Sequence, residues 1–528
     1  MMRTGAAFNN EQSGLIWCYT DNLSFEPGDD VHFRVSCKSE RFSIEIARIG
    51  LERKVVYAEA GIAGAWHPIP ENAYETGCEW PIAHTYSLPR SLSSGYYQVL
   101  VKADEAEGRT AQSEHFFVVR PGQNQPKNKI LFVLSTNTYH AYNSWGGGNL
   151  YSFKDSYAFH TKRKPYRVST RRPFEPGLLS KYPGAPRTTF PPSQQLGPRE
   201  QQSRPYLPFS IAEGIDYWTV ASGFSGRWEE IFVQFLEKNN YAVDYITQYD
   251  LNQNPGILDS YKLCLSVGHD EYWSWKEREA IETWVEGGGN FALFSGNSIF
   301  WQVRFEDDGR TMVCYKNEAL TKDPVVGTGE EKYTTTMWSS SIIGRPENTL
   351  TGLSFTRGGY ARTGMTVPRG SGGYTVYRPE HWAFQGTGLE YGDVLGATNS
   401  ILGYECDGCA FTFVDGRPEP TGEDGSPKNM EILAISPVTN SERLDQGYNE
   451  AELLVKQDSL SRFAQEILGE DNEQNRDRFR YGHAMIVAFD KGKGKVFNSG
   501  NVEWAFGLTG NDPFVEIITK NVIDTFTK

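Results

Sequence analysis

The sequence predicts an α/β protein: a doubly wound, mostly parallel sheet with a β-rich insertion, preceded by an N-terminal antiparallel β-sandwich. Three observations predict it. Short runs of period-two alternation, broken by Gly, Pro, Asn and Asp, fill the chain to about residue 121. After them, continuous apolar runs such as KILFVLS (129–135), YKLCLSV (261–267) and NFALFS (290–295) have the composition of strands buried on both faces. These runs alternate with helical periodicity, the pattern of βαβ units.

In chain order, VHFRVSC, FSIEIARIG, GYYQVLVKA and EHFFVVR read as strands of an immunoglobulin-like sandwich, giving a first domain over 1–121. PGQNQPKNK reads as a linker, and 122–528 as the α/β domain. Its first strand, KILFVLS, ends in the loop TYHAYN, and Lys154 to Ser210, rich in Pro, Arg and Ser, reads as an excursion that covers or lines a site. Trp228, Phe232, Phe235 and Leu236 mark a helix, followed by the strands YAVDYIT and YKLCLSV. Ser274 with Glu277 three residues on predicts a capping box, opening a helix that stops at Gly287, Gly288 and Gly289. From about 305 to 480 the chain reads as the β-rich insertion; HAMIVAFD and KVFNSG return to the sheet, and Pro513 to Phe526 forms a last helix.

A formal net charge of −14, with no basic cluster outside Thr161 to Arg172, argues against nucleic acid or an acidic membrane as partner. No apolar leader is seen in MMRTGAAFNNEQSG and no run of membrane-spanning length follows, so a cytoplasmic location is expected. Seven cysteines in 528 residues suit reduced thiols, and Cys406 with Cys409 is a lone CxxC without the second half of a zinc site.

In a doubly wound sheet, TYHAYN, GHDEYW, GNSIFW and NSGNVEW fall together beyond the carboxyl ends of the strands, where ligands bind. His269, Asp270 and Glu271 are the candidates this places there. A plainer reading stands beside it: Asp270 and Glu271 cap the following helix, His269 is a satisfied structural histidine, and any loop tyrosine, among 28, is a packed ring. Trp145, Trp273 and Trp301 wall a pocket or pack the core. Gly146 to Gly148 lacks the Lys-Ser/Thr of a phosphate loop, and Ser266, Ser295 and Ser499 lack a nucleophile elbow. Cys264 lies inside its strand, which leaves a cysteine nucleophile unsupported.

The ordered motifs TYHAYNSWGG, GHDEYW, SGNSIFW and NSGNVEW, with GYE at Gly403 to Glu405, resemble the large (β) subunit family of N,N-dimethylformamidase over about Lys129 to Thr527. The resemblance implies a glutamine-amidotransferase-type, flavodoxin-like core and a mononuclear Fe3+ held by two tyrosinates and a glutamate, with a histidine and an asparagine nearby. Carried over by motif, Glu271 is the glutamate, His269 the histidine and Asn297 the asparagine. Tyr139 and Tyr142 are the tyrosines, with Tyr151 as a substitute; Glu405 and Glu503 are candidate supporting groups. The chain departs from the named enzyme in carrying only the smaller sandwich in place of a larger lectin-like domain.

What this implies is an iron-dependent hydrolase cleaving a small or N-substituted amide to carboxylate and amine, as a homo-oligomer with a small partner subunit. A hard cation in an all-oxygen site polarises the carbonyl and acidifies its bound water. His269 would act as general base and Asn297 as donor to the oxyanion, with Asp270 left as a cap. The alternative from another class is a non-catalytic carbohydrate- or ligand-binding protein, in which the sandwich and aromatic loops stack sugars.

Overall fold

The computed structural model describes residues 14–104, 110–122, 125, 127–154, 164–190, 204–363, 372–440, 459–510 and 512–528. Parts of the Lys154–Ser210 excursion and of the N-terminal stretch therefore lie outside the described residues. The chain divides into two compact units: Met1–Ala185 with Ser210–Gln253 and Phe305–Val313, and Pro186–Phe209 with Asn254–Arg304 and Cys314–Lys528.

The first unit contains the sandwich. Ile16–Thr20, Asp30–Cys37 and Ile82–Ser87 pair antiparallel in one sheet. The other has the order Ser24–Phe25, Thr110–Val119, Gly95–Asp104, Arg41–Ile49, Arg53–Ala63, antiparallel except for its two-residue first strand. Alternation does what the sequence suggests: Val31, Phe33 and Val35 of one sheet meet Ile44, Ile46, Val99, Val101 and Phe117 of the other in a single core. Each such side chain, fully buried, contributes roughly 1.5–3 kcal/mol. The same unit holds the parallel pair Ile130–Leu134 and Val243–Thr247, with the helix Trp228–Lys238 burying Trp228, Phe232, Phe235 and Leu236. TYHAYN is not a loop; all but its last residue, the C-cap Asn143, lie in a helix, Thr136–Tyr142, with every residue of the helix buried. So short a helix has little intrinsic stability, so its burial must maintain it.

The sheet of the second unit corrects the predicted fold class. Leu263–His269, Asn290–Gly296 and Gly494–Asn498 do run parallel, in register from Leu263 opposite Asn290 to His269 opposite Gly296. From Gly494–Asn498 outward the direction alternates: Tyr481–Lys491, Glu431–Thr439, Ser354–Ala361 and Tyr404–Gly408 are each antiparallel to their neighbour. The sheet is thus mixed, and a doubly wound, flavodoxin-like core is not formed. Two causes are visible. Lys491 and Gly494 pair directly across a two-residue turn with Gly492 at φ 60, and such a turn joins antiparallel strands only, since a parallel return needs a crossover of about a dozen residues. The stretch read as an insertion instead supplies strands to the same sheet as the parallel ones.

Two helices cover predicted positions. Trp275–Gly287 opens with the capping box, Ser274 accepting from Glu277 N–H while the Glu277 carboxylate accepts from Ser274 N–H, and closes on Gly288 at φ 123. Pro513–Phe526 has Pro at its first turn and Asp512 as N-cap, and buries Val515, Ile518, Val522, Ile523 and Phe526.

Candidate functional site

Two adjacent parallel strands end level with each other, and the residues that follow them build the site in the second unit. Leu263–His269 is buried throughout, so His269 enters the interior at the strand's end. The next residues turn back through Asp270 and Glu271. Main-chain N–H groups of Ile299, Phe300 and Trp301 bond the carbonyls of Asp270 and Glu271, which ties this turn to the one after the neighbouring strand.

That second turn is strained. Asn297 and Ile299 have φ of 49 and 55, left-handed backbone that Asn tolerates and a β-branched residue does not. Gly296 before them has room for nothing larger, because a Cβ there would lie 2.6 Å from the Glu405 carbonyl oxygen and from Val502 N. Asp407 holds the turn open: its carboxylate accepts from Asn297 N–H at 2.9 Å and Ser298 N–H at 3.2 Å. Strain of this kind persists only where the surroundings impose it, and it concentrates at functional sites.

Around the imidazole are two carboxylates. His269 Nε2 lies 2.7 Å from Glu405 Oε2 and 3.4 Å from Glu271 Oε2. Glu405, on Tyr404–Gly408, also accepts from Asn297 Nδ2 at 3.2 Å and from the Tyr360 hydroxyl at 3.2 Å, Tyr360 being its cross-strand partner. Glu271 accepts from Trp301 Nε1 at 2.8 Å. The edge of the His269 ring meets Tyr404, itself at φ 58. His269, Glu271, Asn297 and Glu405 are all buried. With the amide N–H spent on Glu405, the Oδ1 of Asn297 is buried without a hydrogen-bond partner among the described residues, an acceptor that a substrate N–H or a water would satisfy. Two buried acids beside one imidazole leave negative charge in excess. Next to them, burial, with the Glu347 and Glu405 charges adding to it, pushes the Asp407 carboxyl up to about 7.

The other sequence candidates fall as follows. Asp270 is fully buried and caps no helix: it accepts from Ser266 at 2.6 Å and from Trp273 Nε1 at 2.9 Å. Glu503 is equally buried and accepts from Arg187, Thr188 and Thr189, pinning the described end of the excursion. In the first unit, the Tyr139 hydroxyl donates to Glu229, whereas the Tyr142 and Tyr151 hydroxyls lie 2.7 Å apart. His140 stacks on Phe174 at 5.6 Å, and burial lowers its imidazole to about 3, so it stays neutral. Trp145 packs between Trp17 and Trp80 in the core, and Arg172 accompanies it by donating to the carbonyls of Asn143, Trp145 and Gly148. All seven cysteines are buried and outside any disulfide, and burial raises the Cys406 and Cys409 thiols well above their ordinary value. A cleft of about 640 Å³ lies in the first unit among Arg34, Arg167, Arg171 and Arg310 and the acids that pair with them; it is lined by none of the candidates.

Sequence reasoning ranked Glu405 behind Glu271, although it is the acid closest to the imidazole, and missed Lys316 altogether. That lysine is buried, donates to the Tyr272 hydroxyl and lies over the rings of Tyr272 and Trp301 at 5.0 and 5.1 Å. Nothing in its local sequence, CYKNE, marks it.

The buried cluster lies on the turns after parallel strands, and comparison with known proteins gives the chain's lineage. The family model of the N,N-dimethylformamidase beta subunit-like C-terminal region matches residues 43–516, and the chain belongs to that family. The match begins inside the sandwich, well before the motifs that carried the resemblance. Among curated proteins, the N,N-dimethylformamidase beta subunit of Alcaligenes sp is 22% identical over 339 residues, 61% of this chain and 40% of that protein. Its namesake from Paracoccus aminophilus is 22% identical over 275 residues, 49% of this chain and 32% of that protein. The aligned part thus spans well under half of either relative. Among solved structures, murine CRIg matches at a TM-score of 0.15 with 9% identity over 21% of this chain and 100% of that one, too slight a likeness to carry an argument. No helix among the described residues is long and apolar enough to cross a membrane.

Proposed function

We propose that this chain hydrolyses the C–N bond of a small or N-substituted amide to a carboxylate and an amine. One observation carries the reading: His269 Nε2 faces two buried carboxylates, 2.7 and 3.4 Å away, beside an asparagine with an unpaired carbonyl. These residues lie in the motifs of a family whose curated members are named for cleaving N,N-dimethylformamide.

Amide hydrolysis must take a proton from water and deliver one to the departing nitrogen. Glu405 Oε2 lies 2.7 Å from His269 Nε2 and Glu271 Oε2 lies 3.4 Å from the same nitrogen, so the group can accept a proton at one stage and donate it at the next once a hydrogen bond is aligned between them. Asn297 Oδ1 orients the water or the substrate N–H, and its fixed backbone, bonded to Asp407, holds that oxygen in place. Burial of the whole group excludes bulk water, which strengthens each of these contacts.

An iron ion fits the donor chemistry. The donors that the resemblance implies are one carboxylate and two phenols, hard oxygens suited to Fe3+; among the described residues no group of three His, Cys, Asp or Glu side chains is arranged to hold a metal. Glu271 would be the carboxylate donor, and the phenols that the resemblance carries to Tyr139 and Tyr142 belong to the other unit. When bound, the iron would polarise the amide carbonyl and lower the pKa of water. The relatives' designation as a beta subunit supports assembly with a partner subunit.

The test is purification with iron, followed by amine release from N,N-dimethylformamide and a panel of small amides. Glu271→Ala should empty the metal site and abolish release with the melting temperature little changed. Full iron retention after that change refutes the ligand assignment.

A further inference from the structure

Two adjoining clefts in the first unit, about 640 and 280 Å³, share Asp21, Arg171 and Arg310 as a common wall. The smaller lies beyond the carboxyl ends of the parallel strands Ile130–Leu134 and Val243–Thr247, lined by Thr136 and Asn137 after the first and by Thr247 and Tyr249 at the second. In open α/β sheets that crevice is where ligands bind.

The acids here have close donors, whereas the cations of the shared wall have no close acceptor. Arg34 donates to both oxygens of Asp21 at 2.6 and 3.0 Å, which leaves Arg171 3.8 Å from the same carboxylate. Asp250 accepts from the Thr247 N–H and hydroxyl at 2.8 and 2.7 Å, and Asp307 from the Thr311 hydroxyl at 2.9 Å. Arg310 is exposed and forms no ion pair or side-chain hydrogen bond among the described residues. Two planar guanidinium forks therefore line one space with no carboxylate in hydrogen-bond contact.

The backbone that presents Arg310 is held in an unfavourable conformation. Asp307, Asp308 and Gly309 have φ of 52, 53 and 83, a left-handed run that only the glycine adopts freely. The surroundings impose it. A Cβ at Gly309 would run into the Tyr249 hydroxyl, while Thr170 donates its hydroxyl to the Gly309 carbonyl at 2.9 Å and its N–H to the Arg310 carbonyl at 2.8 Å. Antiparallel pairing of Ser169 with Thr311 continues the tie, so Arg171 and Arg310 are carried on one braced pair of chain segments.

His140, 5% exposed, also lines the smaller cleft, and its Nδ1 has no hydrogen-bond partner among the described residues. Burial keeps this ring neutral, so it offers hydrogen bonding without charge. The larger cleft is lined by four arginines and by the four acids Asp21, Glu75, Glu79 and Asp307, a mixed lining that suits one negative charge better than two.

We propose that Arg171 and Arg310 together bind the carboxylate of a small organic acid. Guanidinium–carboxylate contacts of this kind are charge-assisted and geometrically specific. The assignment stands apart from the amide reading, because it uses none of the residues invoked there.

The test is calorimetric titration of the full chain with acetate at low ionic strength, for wild type, Arg171→Gln, Arg310→Gln, Arg310→Lys and His269→Asn. Wild type should bind acetate saturably. Each glutamine variant should bind about tenfold or more weakly, and Arg310→Lys, which keeps the charge but loses the fork, should be affected less. Should Arg310→Gln melt early, Arg171→Gln and Arg310→Lys carry the comparison. His269→Asn should bind acetate as wild type does, which separates this site from the buried cluster of the second unit. Inorganic phosphate should compete about tenfold less well than acetate. No saturable binding by wild type, binding unchanged in both glutamine variants, or binding lost in His269→Asn overturns the site; phosphate binding tighter than acetate overturns the choice of a carboxylate.

Discussion

Glu405 and Glu503 occupy comparable ground: both are buried acids in the same unit, each just past a glycine-containing turn, and the sequence offers no reason to rank one above the other. Their surroundings differ in kind. Glu503 faces donors that do not exchange protons near neutral pH, the Arg187 guanidinium and the Thr188 and Thr189 hydroxyls, and together these saturate its oxygens. Glu405 faces an imidazole at 2.7 Å, an amide N–H and a phenol, and its imidazole contact is shared with a second acid. A carboxylate surrounded by fixed donors is held for structure. One that competes for a movable proton is placed for chemistry.

That contrast breaks or sharpens on substitution. Glu405→Gln keeps the shape and removes the proton acceptor, so amide turnover should fall by on the order of 1000-fold with the fold intact; a loss under fivefold in a steady-state assay would erase the distinction. Asn297→Gly should cost about 100-fold in turnover. It relieves the left-handed backbone at φ 49, so the melting temperature should hold or rise, and a drop in stability would show that the asparagine is there for packing. Glu503→Gln should leave turnover per folded molecule within a few-fold but lower stability by roughly 1–3 kcal/mol, read by urea unfolding, because the half-buried Arg187 loses its charge partner.

The smallest and most graded effect concerns Asp407. Its folded carboxyl lies at about 7, above the unfolded value near ~3.9, so the folded state binds the proton more tightly. Its contribution to stability is therefore full below about pH 4, falls as pH rises to about 7 and is level above that, a swing on the order of 4 kcal/mol. Unfolding free energies of wild type and Asp407→Asn, measured from pH 4.5 to 8, should converge or cross as pH rises. Parallel curves would mean that Asp407 stays ionised throughout.

Much of this was legible in the sequence, and what was not has a physical reason. The sandwich strands, the capping box at Ser274 and Glu277 and the helix after Asp512 follow from local rules of alternation and capping, which need no knowledge of distant residues. GHDEYW and SGNSIFW were legible as strand ends, and their strands do end level. The direction of the later strands was misread because a central antiparallel strand covered on both faces is as continuously apolar as a parallel one, as HAMIVAFD shows. The two-residue turn at Gly492 and Lys493 carried the missing signal. Glu405 was underrated because its meaning lies in cross-strand and cross-loop partners, Tyr360, Asn297 and His269, that no local pattern joins. TYHAYN reads as a loop because the seven residues of Thr136–Tyr142 are too few to establish a helical period.

The most direct measurement is amine and carboxylate release from N,N-dimethylformamide and related small amides by the iron-loaded chain, with wild type and His269→Asn side by side. The predicted result is equal amounts of the two products from wild type, and a rate lower by on the order of 100-fold or more in the variant at an unchanged melting temperature. Release from no amide by the wild type, or equal release by the variant, contradicts the account.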